Sequence, residues 1–321
     1  MKKIAAFDIG SNAIRMAIGE IDLTGKFTLI NRVRTPIRLG AEVFSGQELS
    51  QATRDSVVKN FVEFRKLMDQ DSVIAYKAVA TSALRNSKNG HQLIEEVHKA
   101  SGILIDLIDG QTEALLIRKA VQSKIDLTKK DFLLFDIGGG SAELSLLKKG
   151  EVQNSISLPM GAVRLLEVGK KAAREGVSPE RGYRDYLSSL NPEIQEFFSQ
   201  CQLSVKPIRV IGTGGNFKRL SRLRKKILKI KNIEYVLPDE VAAIREVIEE
   251  TALLNRTKKF GLRHDRADVI VPAIYIIENI MSFVPMKKLY TPDIGLIHGV
   301  LFKICDELDS KFRGELTYRT F

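Results

Sequence analysis

Cysteine is scarce in this chain: among 321 residues only Cys201 and Cys305 occur, and neither has a second Cys or a His at close spacing. A disulfide framework and a structural zinc site both need a denser pattern, so neither is expected and both thiols are read as reduced and structural. Long apolar runs are missing as well. No stretch approaches the roughly 18 unbroken apolar residues of a membrane-spanning helix, and 44% apolar with 28% charged residues fits a soluble protein with no membrane partner. The opening "MKKIAAFDIG" has two lysines and a short apolar run, yet Asp8 arrives before a secretory core is complete and no small-residue cleavage site follows. A cytoplasmic location is the expectation. No low-complexity linker divides the chain. No glycine loop has the Walker lysine before Ser/Thr or the G-x-G-x-x-G spacing, which sets aside two common phosphate-binding designs.

Acidic residues are outnumbered: 50 Lys and Arg against 39 Asp and Glu leave a net charge of +11. Such an excess suits an anionic partner but does not name it, and nucleic acid, a phosphorylated metabolite and polyphosphate all answer to it. The densest basic run, "FKRLSRLRKKILKIK" at 217–231, interleaves Leu and Ile at near-helical spacing. It reads equally well as a solvated helix face or as a surface that grips a polyanion.

The length suggests two domains of about 150 residues each. "KIAAFD" reads as a buried strand, followed by a Gly-Ser-Asn turn, the strand "IRMAIGEID" and a third strand in "FTLINRVRTPIRL". In "SQATRDSVVKNFVEFRKLMDQ" the apolar positions Val57, Phe61, Phe64 and Leu67 follow the helical period. Strand "SVIAYKAVA", helix "HQLIEEVHKAS", strand "ILIDLID" and helix "TEALLIRKAVQS" complete the first half. The second half restarts with "FLLFD", a Gly-Gly-Gly-Ser turn, "AELSLLKKG" and "EVQNSISLP". Its helical stretch is interrupted by "GVSPERGYRD", and "IRVIGTGGNFKRLSRL" then gives strand, glycine loop and helix. The chain therefore repeats a β-β-β-α-β-α unit, with 128 residues between Asp8 and Asp136. "RADVIVPAIYIIENIM" and "DIGLIHGVLFKICDELDSKF" read as two closing helices.

Glycine lets a ligand approach the backbone, and successive N–H groups in such a turn form an anion-binding nest. Three turns qualify: Gly10-Ser11-Asn12, Gly138-Gly139-Gly140-Ser141 and Gly212-Thr213-Gly214-Gly215. Asp8 and Asp136 each end a strand directly before such a turn, where a carboxylate either caps the turn or holds Mg²⁺ beside a bound phosphate. Glu143 adds a carboxylate near Asp136, and it reads equally as an exposed strand residue. The duplicated placement suggests two loops facing one another across an interdomain cleft, with a phosphate chain and a metal between them.

These residues resemble the exopolyphosphatase and guanosine pentaphosphate phosphatase (Ppx/GppA) family of the actin, sugar kinase and Hsp70 superfamily. The resemblance rests on "FDIGSNAIRM", "ATSALRNS", "DGQTEALL", "FDIGGGSAEL", "SLPMGAVRL", "IGTGGNFKRL" and "RADVI", which run in the family's order across nearly the whole chain. It implies an α/β protein of two actin-like (ribonuclease H-like) domains, 1–127 and 128–321, the second carrying the closing helices. It implies hydrolysis of terminal phosphoanhydride bonds of polyphosphate, or of the 5′-phosphate of pppGpp, with Mg²⁺ or another divalent cation. It makes Glu113 the base that activates water and has Asp136 and Glu143 support the metal or the water, beside the Asp8 carboxylate already read as a metal holder. Ser11, Asn12, Arg85, Gly138, Gly139, Gly140, Ser141, Thr213, Gly214 and Gly215 become the phosphate-binding set. The partners implied are polyphosphate or guanosine penta- and tetraphosphate rather than nucleic acid, and a homodimer is compatible with them. Without the resemblance, Glu113 reads as an acid at a helix start with Asp109 or Thr112 as N-cap.

Several positions depart from the family pattern. Thr112 stands where a glutamate is usual, Asp109 where serine is usual, and Ala13 where a hydroxyl residue often follows Asn12. "GLIHG" at 295–299 replaces "GLREG", so Ile297 and His298 stand in for an arginine and a glutamate. A chain of 321 residues reads as the short, two-domain form of the family. The competing classes are a kinase of the same superfamily, disfavoured by "TSALR" and "SLPMGAVRL", and a non-catalytic or weakly catalytic (p)ppGpp or polyphosphate-binding regulator.

Overall fold

The computed structural model describes residues 1–22, 26–201 and 207–308 and the backbone of 316–317. It divides into two compact units, Met1–Asp126 with Ile294–Phe321, and Leu127–Asp293. Among the described residues no helix is long and apolar enough to cross a membrane.

The first unit contains β1 (Lys2–Ile9), β2 (Ile14–Ile21), β3 (Phe27–Thr35), α1 (Leu39–Gly46), α2 (Gln51–Gln70), β4 (Val73–Ala80), α3 (Ser82–Asn86), α4 (Gly90–Ser101), β5 (Ile105–Leu107) and α5 (Gly110–Gln122). The second contains β6 (Phe132–Ile137), β7 (Ala142–Lys148), β8 (Glu151–Leu158), α6 (Ala162–Arg174), α7 (Pro179–Ser189), α8 (Asn191–Gln200), β9 (Arg209–Thr213), α9 (Gly214–Ile227), β10 (Tyr235–Val236), α10 (Pro238–Glu249), α11 (Leu253–Phe260), α12 (His264–Ala267), α13 (Ile270–Met281) and β11 (Leu289–Tyr290). Helix α14 (Leu296–Leu308) and strand β12 (Leu316–Thr317) return to the first unit.

The sheet orders are β12-β3-β2-β1-β4-β5 and β10-β11-β9-β6-β7-β8. In each, the leading strand pairs antiparallel with the next strand and parallel with the strand that follows the helical crossover: β1 with β2 and β4, β6 with β7 and β9. This is the expected duplication, realised as two mixed α/β sheets. The leading strands are buried on both faces, which is why "IAAFDI" and "FLLFDI" are nearly continuous apolar runs rather than alternating ones.

Helix α2 starts because the Ser50 hydroxyl accepts from Thr53 N–H at 3.2 Å. Its buried stripe is Val57, Phe61, Phe64 and Met68, so Met68 rather than Leu67 continues the 4-3-4 spacing onto the sheet. Phe61 and Phe64 lie 5.8 and 5.6 Å from the Phe7 ring of β1, the centre of the first core. Each buried ring contributes about 1.5–3 kcal/mol relative to exposure. In the second unit Phe135 of β6 packs on Phe217 of α9, with ring centroids 5.1 Å apart.

The expected break at "GVSPERGYRD" lies between α6 and α7: Gly176 and Val177 are outside both helices, and the rest of the segment begins α7, with Ser178 capping Arg181 N–H at 3.3 Å and Pro179 in the first turn. One reading of the sequence differs from the structure. Helix α14, read with the second domain, packs instead on α5, β1, β2 and β4 of the first unit. Periodicity reports that a helix has an apolar face; it does not report which sheet that face will meet.

Candidate functional site

In the first unit the β1–β2 turn sits at the C-terminal ends of the parallel strands β1 and β4, where loops leave the sheet. Asp8, Ser11 and Asn12 are all buried. Asp8 forms an ion pair with Arg15, its cross-strand partner on β2. The Ser11 hydroxyl lies 3.2 Å from that of Ser82, and the Ser11 carbonyl accepts from Gly40 N–H at 2.8 Å, so α1 and α3 both anchor the turn. Asn12 Oδ1 accepts from Arg38 Nε at 3.0 Å. Arg85 donates to the Ile108 carbonyl at 2.6 Å, which ties α3 to the start of α5.

Helix α5 begins at Asp109, whose Oδ1 accepts from Thr112 N–H at 2.8 Å. The Thr112 backbone and hydroxyl, with a contribution from the Arg85 charge, hold the Asp109 carboxyl below its ordinary value. Glu113 follows in the first turn and is only 5% exposed, a rare state for a glutamate. Of the alternatives left by the sequence, Asp109 is the cap. Because the folded value of Asp109 is depressed, its stabilisation is present above the unfolded pKa and is lost as pH falls through the folded one. Asp109→Ala is therefore expected to lower unfolding free energy by about 1 kcal/mol at neutral pH, with the difference from the parent narrowing in acid denaturation below the usual aspartate range. A constant difference at every pH would remove the charged cap from this account.

In the second unit Asp136 is the penultimate residue of β6 and pairs in register with Glu143 on β7, so the two side chains share one face of the sheet. Both are buried, Glu143 at 2% exposure, which rules out the reading of Glu143 as an exposed strand residue. Glu143 Oε1 accepts from the Ser157 hydroxyl of β8 at 2.9 Å, and Asp136 accepts from the Thr213 hydroxyl at the end of β9. Gly214 follows with φ +81, and a Cβ there would lie 2.9 Å from Asp136 Oδ1. Position 214 thus needs glycine both for its backbone and for the approach of the carboxylate.

The loop 138–141 is held from behind. Its Gly138 and Gly139 carbonyls accept from the first amides of α6, Ala162 at 3.1 Å, Val163 at 2.8 Å and Arg164 at 3.0 Å, while Arg164 Nε donates to the Gly140 carbonyl at 2.8 Å. With these carbonyls occupied, the Gly139 and Gly140 N–H groups have no acceptor among the described residues, the arrangement of an anion nest. Asn216, in the first turn of α9, donates to the Ile137 carbonyl at 2.8 Å, and buried Arg266 of the "RADVI" segment donates to Asn216 Oδ1 at 3.4 Å.

The sequence-selected residues therefore fall into two groups. Asp8, Ser11, Asn12, Arg85 and Glu113 belong to the first unit, and Asp136, Gly138, Gly139, Gly140, Ser141, Glu143, Thr213, Gly214 and Gly215 to the second. Sequence reading passed over Arg38, Ser82, Ser157 and Arg164, which brace these loops. Ser82, Ser157 and Arg164 lie inside the family motifs "ATSALRNS" and "SLPMGAVRL", whereas Arg38 carries no local signal. In the departing "GLIHG" segment His298 is buried, its Nδ1 accepting from Gly295 N–H at 3.1 Å and its Nε2 lying 2.8 Å from Arg32 Nη2.

The donor set suits a divalent cation of the Mg²⁺ type, because Asp136 and Glu143 offer hard carboxylate oxygens on adjacent strands with hydroxyls and amides around them. The Gly139 and Gly140 amides, next to these two buried carboxylates in the same unit, are groups that can bind phosphate oxygens.

The chain is similar in sequence and in fold to known proteins. The chain is 27% identical over 294 residues to the bifunctional 3-dehydroquinate synthase/phosphatase of Fusobacterium nucleatum, covering 87% of this chain but only 43% of that relative's length. It is 24% identical over 315 residues to exopolyphosphatase 1 of Mycobacterium tuberculosis, covering 97% of this chain and 90% of the relative. In fold it is similar to the crystal structure of an exopolyphosphatase from Cytophaga hutchinsonii, with a TM-score of 0.82 and 23% identity over 95% of this chain and 98% of that one. The sequence model of one family matches residues 18–308. By that match the chain belongs to the Ppx/GppA phosphatase family.

Proposed function

We propose that this protein is an exopolyphosphatase that releases terminal phosphate from inorganic polyphosphate, with removal of the 5′-phosphate of pppGpp as an allied activity. The observation that carries the reading is the buried, in-register pair Asp136 and Glu143 beside the braced glycine loop. A phosphoanhydride needs positioning, charge neutralisation and an oriented water more than covalent chemistry; the loop amides supply positioning, and the two carboxylates supply a seat for the cation that neutralises charge. The amides of Gly139 and Gly140, with Ser141 and the Gly214-Gly215 turn, bind phosphate oxygens, and Ser11, Asn12 and Arg85 do the same from the first unit. Asp136 and Glu143, with Asp8, would hold Mg²⁺, which when bound neutralises phosphate charge and polarises the scissile bond. Glu113 takes the proton from the attacking water, a contribution of roughly 10²–10⁴ in rate.

The test is phosphate release from polyphosphate, pppGpp and ATP side by side with Mg²⁺. Release from polyphosphate with ATP left intact is expected. Tight binding of polyphosphate or pppGpp with no release would instead favour a regulator. ATP-dependent transfer to an acceptor would overturn the hydrolase reading.

A further inference from the structure

Resting on the polyphosphate reading, we infer that the solvent face of α9 and the adjoining end of α11 form a second anion-binding surface, which holds the distal part of a long polyphosphate chain. The basic run of 217–231 is sorted by the fold. Lys218 is paired with Asp293, and Arg224 is buried with Nε and Nη2 on the Glu240 carboxylate at 2.7 and 2.8 Å. Leu220 and Leu223 face the core. Within α9 the exposed cations are Arg222, Lys225 and Lys226, at the i, i+3, i+4 spacing of one helix face, and exposed Lys229 and Lys231 follow the helix.

Helix α11 packs against α9, and a Cβ at Gly261 would lie 3.5 Å from Lys226 Nζ, so the α11 terminus adjoins that face. It adds exposed Lys258, and Arg263 follows. Among the described residues no salt bridge engages Arg222, Lys225, Lys226, Lys258 or Arg263, so their charge is available to a partner.

The position of this face makes a polyphosphate tail the fitting occupant. Helix α9 starts at Gly214, against Asp136, and at 1.5 Å per residue Arg222 lies about 12 Å and Lys226 about 18 Å along its axis. A short phosphate chain bound at the glycine loops ends before it reaches them. A long chain leaving the loops along the helix meets one cation after another, each a flexible ammonium or guanidinium suited to an irregular line of phosphates. Clustered like charge also raises the local concentration of a polyanion, by 10 to 10³ in on-rate in favourable cases, and the effect falls with salt.

The experiment compares the parent with a variant carrying Arg222→Gln, Lys225→Gln, Lys226→Gln and Lys258→Gln, using phosphate release from long-chain polyphosphate and from tripolyphosphate. We expect KM for the long chain to rise by about tenfold or more, and its salt dependence to flatten, with kcat and all tripolyphosphate constants unchanged. Equal KM changes for both substrates, or none for either, would overturn the surface while leaving the hydrolase reading intact. A parent that hydrolyses neither substrate would overturn both. If the variant loses binding to single-stranded RNA but keeps the parent's polyphosphate constants, the face serves nucleic acid and the inference fails.

Discussion

Glu113→Gln is expected to lower phosphate release from polyphosphate by at least about a hundredfold, with KM changed by no more than a few-fold. Glutamine keeps the length and shape of the side chain and removes only the capacity to accept a proton. The position tolerates little else: Glu113 is buried in the first turn of α5, whose start is fixed by the Asp109 cap and by Arg85 on the Ile108 carbonyl. A variant that binds and turns over as the parent does would take Glu113 out of the mechanism. A loss confined to KM would make it a binding residue, because an interaction made only in the transition state lowers kcat. Thermal unfolding should be close to the parent's, which separates a catalytic loss from a folding one.

Gly161→Ala carries the second large effect. Gly161 precedes α6, and an added Cβ would lie 2.3 Å from both Gly139 C and Gly140 N and 2.4 Å from Gly139 O. These are backbone atoms of the loop, which cannot rotate away as a side chain can. Either the loop or the start of α6 must move, and the three amides of Ala162, Val163 and Arg164 then lose their acceptors. Overpacking of this kind costs about 1–3 kcal/mol, and displacing the nest by even about 1 Å can lower turnover a hundredfold. The expected result is a lower melting temperature together with a loss of activity that raising the polyphosphate concentration does not restore. Gly46→Ala is the control, since a Cβ there meets nothing within 4 Å. Parent-like activity in Gly161→Ala would show that the α6 contacts do not hold the loop in its working shape.

The string "SLPMGAVRL" illustrates how much of the site was legible. As a sequence it was only a family motif. In the structure its glycine permits the approach to the loop, its Ala-Val-Arg amides hold the loop carbonyls, and its arginine reaches Gly140. The glycine loops themselves were readable without help, because a turn that needs a missing Cβ or a positive φ, as at Gly214, leaves its mark on a single residue. Glu143 was less so. It reads equally as an exposed strand residue, because its burial depends on β8 and on Ser157, 14 positions later. Arg38, at the N-cap of α1, braces the first turn through Asn12, and nothing near it in the sequence announces that contact.

By itself the sequence determined the duplicated strand-and-turn units, the glycine positions before which Asp8 and Asp136 stand, and the family, since periodicity and backbone demands are properties of neighbouring residues. The tertiary structure decided the rest: that Arg224 of the basic run is buried on Glu240 while Arg222, Lys225 and Lys226 face water, and that α14 joins the first sheet. Burial and pairing depend on partners far along the chain, and only packing selects among the faces that a local pattern allows.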